Sequence, residues 1–267
     1  IPTDTRTITV AIGTNPGTGT LTGTLGVAAI AGVATFSNLS INALGTGYTL
    51  TATDGVLPLV TSAPFNVTIG NGNKLGFIVQ PSTVVTGAPF NPAVQVAIQD
   101  AGGNTVTTAP PTPITVFLAG GIGLAGTQTV NTVAGIATFT GLNVTQAGAG
   151  RTLSATSPSL ISATSNAFTI NLAGTVTTIT TDLPDPSAVG QAYAVSYTVA
   201  VTAPGTGTPT GNVTISDGVS TCTASVAAGT CNVTSISTGL KNLTGTYTGD
   251  ANYAASVSAI ATHQVNA

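Results

Sequence analysis

One histidine and seven aspartates are the side chains of this sequence best suited to acid–base chemistry near neutral pH. The 267 residues include four Lys or Arg, seven Asp, no Glu and one His, and the formal net charge is −3. Catalysis by His263 would need a partner Asp and an activated nucleophile. No Asp lies near His263 in the sequence, so we predict a surface or terminal-strand histidine, no catalytic residues and no enzyme.

Asp182 and Asp185 are the one pair of acidic residues close together along the chain, in the run Asp-Leu-Pro-Asp. Calcium sites use several oxygen ligands, often clustered carboxylates, and a Ca²⁺ site near a domain junction is one interpretation of this pair. A Pro-flanked turn capped by the two Asp side chains is the interpretation that we favour. The sequence therefore predicts no metal site and no cofactor.

Cys222 and Cys231 are the only cysteines. They flank a turn at Ala227-Ala228-Gly229, which would place them opposite each other on a β-hairpin and permit a disulfide. A metal site is not expected, because no other Cys and no suitable His accompanies them. A disulfide indicates an oxidising compartment, and so a secreted, extracellular or cell-surface location.

The composition excludes several classes of protein. Charged side chains make up 4% of the chain, against about 25% in an ordinary soluble domain. That leaves no basic surface for nucleic acid and no electrostatic membrane anchor. The chain is 42% hydrophobic, without an apolar run near the roughly 20 residues of a membrane span. Thr, Val and Gly are abundant while Glu and Met are absent, which favours strands over helices.

An internal repeat organises the first two thirds of the chain. The segment Gly32–Ile41 recurs as Gly135–Val144, 103 residues later, and Tyr48–Thr53 recurs as Arg151–Thr156 at the same offset. A period near 100 residues is too long for a solenoid and fits one β-sandwich domain.

Alternating apolar and polar residues between Gly, Pro and Asn turns predict short strands. In the second repeat there are seven: Leu75–Val79, Ala93–Gln99, Ile114–Leu118, Gln128–Val130, Ile136–Thr140, Thr152–Thr156 and Ala167–Leu172. Seven strands in about 100 residues is the immunoglobulin-like number. The predicted core comprises two sets of equivalent residues: Phe36, Leu39, Leu50 and Phe65 in the first repeat, and Phe139, Leu142, Leu153 and Phe168 in the second.

Tyr48 lies two residues before core Leu50. This is the position of the tyrosine corner in immunoglobulin-like sandwiches, where the hydroxyl bonds to nearby backbone. The equivalent residue of the second repeat is Arg151, so we do not expect the corner to be general in this chain.

The third unit carries two longer motifs, PTGNVTISDG at 209–218 and LTGTYTGDANY at 243–253. They closely resemble the bacterial Ig-like repeat domains of large secreted and surface-anchored proteins, and the first two units resemble a related type. The resemblance implies a tandem surface or adhesin architecture. We therefore predict an all-β chain of three tandem immunoglobulin-like β-sandwich domains, at 1–72, 73–172 and 173–267, joined end to end by short linkers as a stiff rod.

The first unit is incomplete when it is aligned with the second. Ile8-Thr9-Val10 matches Ile114-Thr115-Val116, and nothing in the chain corresponds to the two strands that precede Ile114. A sandwich without two strands exposes an apolar face and an open edge. Either the chain is a stretch of a longer protein, which we favour because two strands exceed one donor strand, or a neighbouring subunit supplies them.

Three classes of function remain on this basis. We favour a structural subunit or segment of an extracellular filament, sheath or surface array, whose partners are copies of itself or further repeats. The alternative is the rigid stalk region of a bacterial surface adhesin, whose ligand the sequence does not identify. A carbohydrate-binding accessory module is less well supported, because exposed aromatic residues usually stack on sugars and aromatics make up only 4% here, with no Trp.

Overall fold

The computed structural model describes residues 4–267. Within that range every regular element is a β-strand except a single 3₁₀ turn at Val226–Ala228. This all-β fold confirms the prediction from composition, since Thr and Val suit strands. The strands fall into three consecutive groups along the chain, each with its own sheets.

The first group contains eight short strands. They are β1 (Thr7–Ile12), β2 (Leu21–Thr22), β3 (Gly26–Ala28), β4 (Ser40–Ile41), β5 (Gly45–Tyr48), β6 (Leu50–Thr53), β7 (Val60–Thr61) and β8 (Phe65–Val67). They form a four-stranded sheet in the order β3-β1-β6-β7 and two small pairs, β2-β4 and β5-β8.

The second group contains twelve strands. They are β9 (Lys74–Val79), β10 (Val84–Val85), β11 (Val94–Gln99), β12 (Pro113–Leu118), β13 (Leu124–Ala125), β14 (Thr129–Asn131), β15 (Ile136–Phe139), β16 (Asn143–Val144), β17 (Gly148–Arg151), β18 (Leu153–Thr156), β19 (Ala163–Thr164) and β20 (Phe168–Asn171). The sheets are β15-β11-β9, β14-β12-β18-β19, β10-β20-β17 and β13-β16. All seven predicted strands are present, to within two residues at their ends. Five further strands of two to four residues escaped the sequence analysis.

The two groups match strand for strand where both exist. Strands β2 to β8 recur 103 residues later as β13, β14 and β16 to β20. Within residues 4–267 the first group has no counterpart of β9, β10 or β11, which confirms the prediction that this unit lacks its N-terminal strands. It also lacks β15, because residues 33–36 have no β11 to pair with, whereas β15 pairs with β11 from Val94–Phe139 to Ala97–Ile136.

Packing differs accordingly between the two groups. In the second group the predicted core residues are buried, with Phe139, Leu142 and Leu153 fully enclosed and Phe168 4% exposed. They belong to one apolar cluster with Val94, Val96 and Ile98 from β11. All four predicted core residues of the first group are only half-buried.

The third group contains nine strands. They are β21 (Thr175–Leu183), β22 (Ser187–Ala188), β23 (Ala192–Val201), β24 (Asn212–Ser216), β25 (Thr221–Ser225), β26 (Thr230–Thr234), β27 (Gly239–Tyr247), β28 (Ser256–Val257) and β29 (Ala261–Asn266). One sheet is β21-β23-β26, and the other runs β22-β29-β27-β24-β25 with β28 on β27. The two sheets enclose a second apolar cluster around Tyr193, Val195, Ile215 and Leu243.

Hydrogen bonds also cross between neighbouring groups. Thr206 donates its hydroxyl to the Gly87 carbonyl at 3.0 Å, and the Ala147 amide donates to the Asn252 side chain at 3.0 Å. The Asn104 side chain donates to the Asn42 carbonyl at 3.1 Å. The domain limits at 72/73 and 172/173 stay predictions.

Candidate functional site

The most concentrated polar chemistry in the described residues lies at one end of the third group. Asp182 is near the end of β21, Asp185 follows in the turn, and His263 lies on the last strand, β29. The His263 Nδ1 atom is 2.8 Å from Asp182 Oδ2 and 3.4 Å from Asp185 Oδ1. The histidine is fully buried, while the Asp185 side chain is 38% exposed.

The imidazole ring of His263 is also held on its other sides. Its Nε2 atom lies 2.9 Å from the hydroxyl of Ser187, a buried residue of β22. The Tyr193 ring stacks on it with centroids 3.7 Å apart and planes at 12°. Contacts to both ring nitrogens and stacking on the ring plane therefore fix the position and orientation of the imidazole.

Two sequence predictions change here. His263, predicted to be a surface or terminal-strand histidine, lies on the terminal strand β29 but is fully buried. The two Asp side chains do not simply cap their own turn: Asp182 bonds to His263, and Asp185 accepts the amide of Gln264 from β29 at 2.9 Å. Contacts between residues about 80 positions apart depend on the sheet pairing, which neighbouring residues do not reveal.

Ser187, His263 and Asp182 have the order and distances of a nucleophile, its base and an orienting acid. Catalysis also requires that a substrate reach the nucleophile. Ser187 is 2% exposed and His263 is fully enclosed, so the Ser187 hydroxyl does not face a substrate cleft. The arrangement is a buried polar network with one partly open side, at Asp185.

A second buried network lies behind Tyr193. Its hydroxyl is 3.1 Å from the Ser235 hydroxyl, which donates to Asp217 Oδ2 at 2.5 Å. Burial raises the pKa of Asp217, whereas hydrogen bonds from the Ser235 hydroxyl and the amides of Val219 and Ser220 lower it. The hydrogen bonds outweigh burial, and the pKa of Asp217 lies below its ordinary value. The carboxylate is therefore held ionised inside the domain.

The predicted disulfide is present, with an S–S distance of 2.01 Å between Cys222 and Cys231. The predicted hairpin is wrong, because β25 pairs with β24 in one sheet and β26 pairs with β23 in the other. The 3₁₀ turn Val226–Ala228, ended by Gly229 in the left-handed region, carries the chain across. The disulfide therefore joins the two sheets of the sandwich.

The predicted tyrosine corner is confirmed in the first group. Tyr48 is fully buried and its hydroxyl donates to the Ala43 carbonyl at 3.0 Å. In the second group the equivalent Arg151 donates its Nη2 to the Ala147 carbonyl at 2.7 Å. The corner is thus more general than expected, since a guanidinium can reach the preceding loop as a phenol does.

The first group also presents an apolar surface that the second group encloses. We call it the open face, and it consists of Phe36, Leu39, Ile41, Leu50 and Phe65, all of which are half-buried. A cavity of about 160 Å³ opens onto it, lined in part by Leu39, Leu50 and Phe65. Of the five equivalent residues in the second group, four are fully enclosed and Phe168 is 4% exposed.

Within residues 4–267, no helix is both long and apolar enough to cross a bilayer.

Comparison with protein families identifies the third group. A family model for the bacterial Ig-like domain (group 3) matches residues 179–266. This confirms the resemblance inferred from the motifs at 209–218 and 243–253, and the third group is a bacterial Ig-like domain. No curated protein matches the chain.

Among solved structures, the chain is similar to the Escherichia coli adhesin FdeC, with 12% identity over 97% of this chain and 85% of that one and a TM-score of 0.33. It is also similar to the D0-D1 domain of intimin, with 16% identity over 72% of this chain and 98% of that one and a TM-score of 0.28. It is also similar to the fibronectin(III)-like modules of Clostridium thermocellum CbhA, with 10% identity over 72% of this chain and 92% of that one and a TM-score of 0.27. Likenesses this distant assign no function.

Proposed function

We propose that this chain is a non-enzymatic structural segment of an extracellular filament, sheath or surface array built from Ig-like repeats. The observation that carries the proposal is the open face of the first group. The same sequence pattern is enclosed in the second group by β9 and β11, so the open face is shaped to accept strands.

The energy available from covering the open face is large. In the second group Leu75, Val94, Val96 and Ile98 supply the cover, and each is at most 4% exposed. Burying each such side chain contributes about 1.5–3 kcal/mol, or about 6–12 kcal/mol for the four. A whole domain has a net stability of about 5–15 kcal/mol. The apolar burial that a partner could supply, before the entropic cost of association is subtracted, is therefore comparable with the net stability of a whole domain.

The expected partner is further Ig-like polypeptide, in another copy or in further repeats of the same protein. Its strands should be patterned like β9 and β11, with alternating aliphatic residues. Among residues 4–267, nothing pairs with the backbone of residues 34–36 in the way that β11 pairs with β15, and an unpaired edge accepts an added strand. The near absence of charge removes the electrostatic repulsion that keeps most proteins apart.

The direct test completes the first group within the chain itself. A variant carries a copy of residues 73–106 immediately before Ile1, which restores β9, β10 and β11 at the spacing of the second group. The control carries the same insert with Val94, Val96 and Ile98 of the copied segment replaced by Thr. Sedimentation velocity should show association of the unmodified chain and of the control, and a monomer for the completed variant.

The result also separates the two kinds of partner. If the unmodified chain is monomeric and the completed variant gains hydrogen-exchange protection at residues 33–41, further repeats are the partner. If completion changes neither association nor protection, the open face is not a strand-accepting surface and the proposal is wrong. Electron microscopy of the native material should show periodic filaments or sheets.

The alternative proposal is the rigid stalk of a bacterial surface adhesin. It is favoured by the hydrogen bonds that join the second and third groups, at Thr206 with Gly87 and at Asn252 with Ala147. Isolated rods with a distinct distal domain in micrographs would support the stalk over the array.

A further inference from the structure

We propose that Asp182, Asp185 and His263 form a binding site for a divalent transition-metal ion of the zinc class, with His263 Nδ1 as the nitrogen ligand. One ligand atom from each of the three side chains lies within 4.8 Å of the others. The two carboxylates would neutralise the charge of the ion. Within residues 4–267, no other three His, Cys, Asp or Glu side chains come this close together.

The distances suit a small ion. Zinc binds His nitrogen and carboxylate oxygen at about 2.0–2.2 Å in a tetrahedron, which sets neighbouring ligand atoms about 3.4 Å apart. His263 Nδ1 and Asp185 Oδ1 are 3.4 Å apart. Asp182 Oδ2 is closer, at 2.8 Å, as a hydrogen bond requires, and its side chain is 18% exposed. A small rotation of Asp182 would complete the spacing.

The surroundings prepare His263 for this role. A metal on Nδ1 leaves the ring proton on Nε2, which then donates to the Ser187 hydroxyl 2.9 Å away. Metal-binding histidines are usually oriented by such a contact on the other nitrogen. The stacked Tyr193 ring fixes the plane, so binding needs no reordering of the imidazole.

The ligand set selects among metals. Ca²⁺ takes six to eight oxygen ligands and Mg²⁺ demands an octahedron of oxygens. An imidazole nitrogen with two carboxylates suits Zn²⁺, Co²⁺ or Ni²⁺ better. The exposed side of Asp185 leaves the fourth position to water.

Binding would fasten the two sheets of the third domain together. Asp182 is on β21, in the sheet β21-β23-β26, and His263 is on β29 in the other sheet. The three ligands converge only in the folded domain, so the ion stabilises the native state by mass action. The disulfide joins the same two sheets through other strands.

The test uses the full chain and ZnCl₂ in isothermal titration calorimetry, with CoCl₂ absorption as the report on tetrahedral geometry. We expect one Zn²⁺ per chain, no binding of Ca²⁺ or Mg²⁺, and reversal by EDTA. At a hundredfold excess over Kd the melting temperature of the third domain should rise by about 10 °C or more.

Two variants give the comparison. Asp185→Asn keeps an oxygen for the Gln264 amide, and Asp185 is exposed enough to tolerate the change; we expect its zinc affinity to fall at least tenfold. Asp4→Asn, in the first group, removes a carboxylate that is not part of the site and should leave the zinc affinity unchanged. Equal zinc affinity for the two variants, or no saturable binding up to ~1 mM ZnCl₂, would overturn the proposal.

Discussion

Phe36 and Phe139 occupy the same position in two copies of one repeat, and their substitution by Ala should have very different consequences. Phe139 is fully enclosed, and its strand pairs with β11 at Val94. Phe36 is half-buried on the open face. The two variants therefore remove the same atoms from a complete and from an incomplete sandwich.

The expected magnitudes follow from burial. Removing an enclosed Phe costs about 3–5 kcal/mol, from lost transfer energy and the cavity left behind. That is a large share of the ~5–15 kcal/mol that holds one domain folded. Phe36→Ala removes contacts on one side only, so we expect about 1–2 kcal/mol in the dissociated chain.

The assay must resolve the groups separately, because a chain of several domains has no single free energy of unfolding. Hydrogen exchange followed by mass spectrometry reports the opening free energy of peptides around each position. If the open face is covered in assembled material, the cost of Phe36→Ala there should approach that of Phe139→Ala. Equal costs in the dissociated chain would refute the difference in packing on which this argument depends.

Three further predictions concern single contacts. Tyr48→Phe removes the corner hydrogen bond and should destabilise the first group by about 1 kcal/mol, measured by hydrogen exchange. Cys222→Ser should destabilise the third domain by about 2–3 kcal/mol, and thiol labelling of the unreduced native protein should find no free cysteine. Because the pKa of Asp217 is lower in the folded than in the unfolded chain, its ionised carboxylate stabilises the fold above about pH 4. This stability is lost as the pH falls through the pKa of the folded state. The melting temperature should therefore decrease below pH 4, and it should decrease less steeply in Asp217→Asn.

The sequence was sufficient for features that depend on local pattern. Alternation located the strands of the second repeat, and the match of Ile8-Thr9-Val10 with Ile114-Thr115-Val116 showed that the first repeat lacks its opening strands. Tyr48 was assigned correctly because its role depends on a carbonyl only five residues away.

Features that depend on sheet pairing could not be predicted in this way. His263 meets Asp182 across 81 residues, and no nearby residue signals the contact. The cysteines lie nine positions apart, which suggested a hairpin, yet the 3₁₀ turn between them moves the chain to the other sheet. Arg151 makes a contact like that of the tyrosine corner, because its guanidinium reaches the Ala147 carbonyl of the preceding loop. The residue type alone does not indicate this contact.

Two parallel strand pairs determine how this chain would respond to being pulled from its ends. In the second group β10 pairs with β20, and in the third β22 pairs with β29. Each pair joins an early strand to the last strand of its group. Tension along the chain therefore loads the hydrogen bonds of the pair in shear, so that they must break together and not one after another. Among residues 4–267, β8 of the first group pairs only with the antiparallel β5. A tether attached at both ends would therefore extend first at residues 4–67, and a partner strand on the open face would raise the force at which it yields.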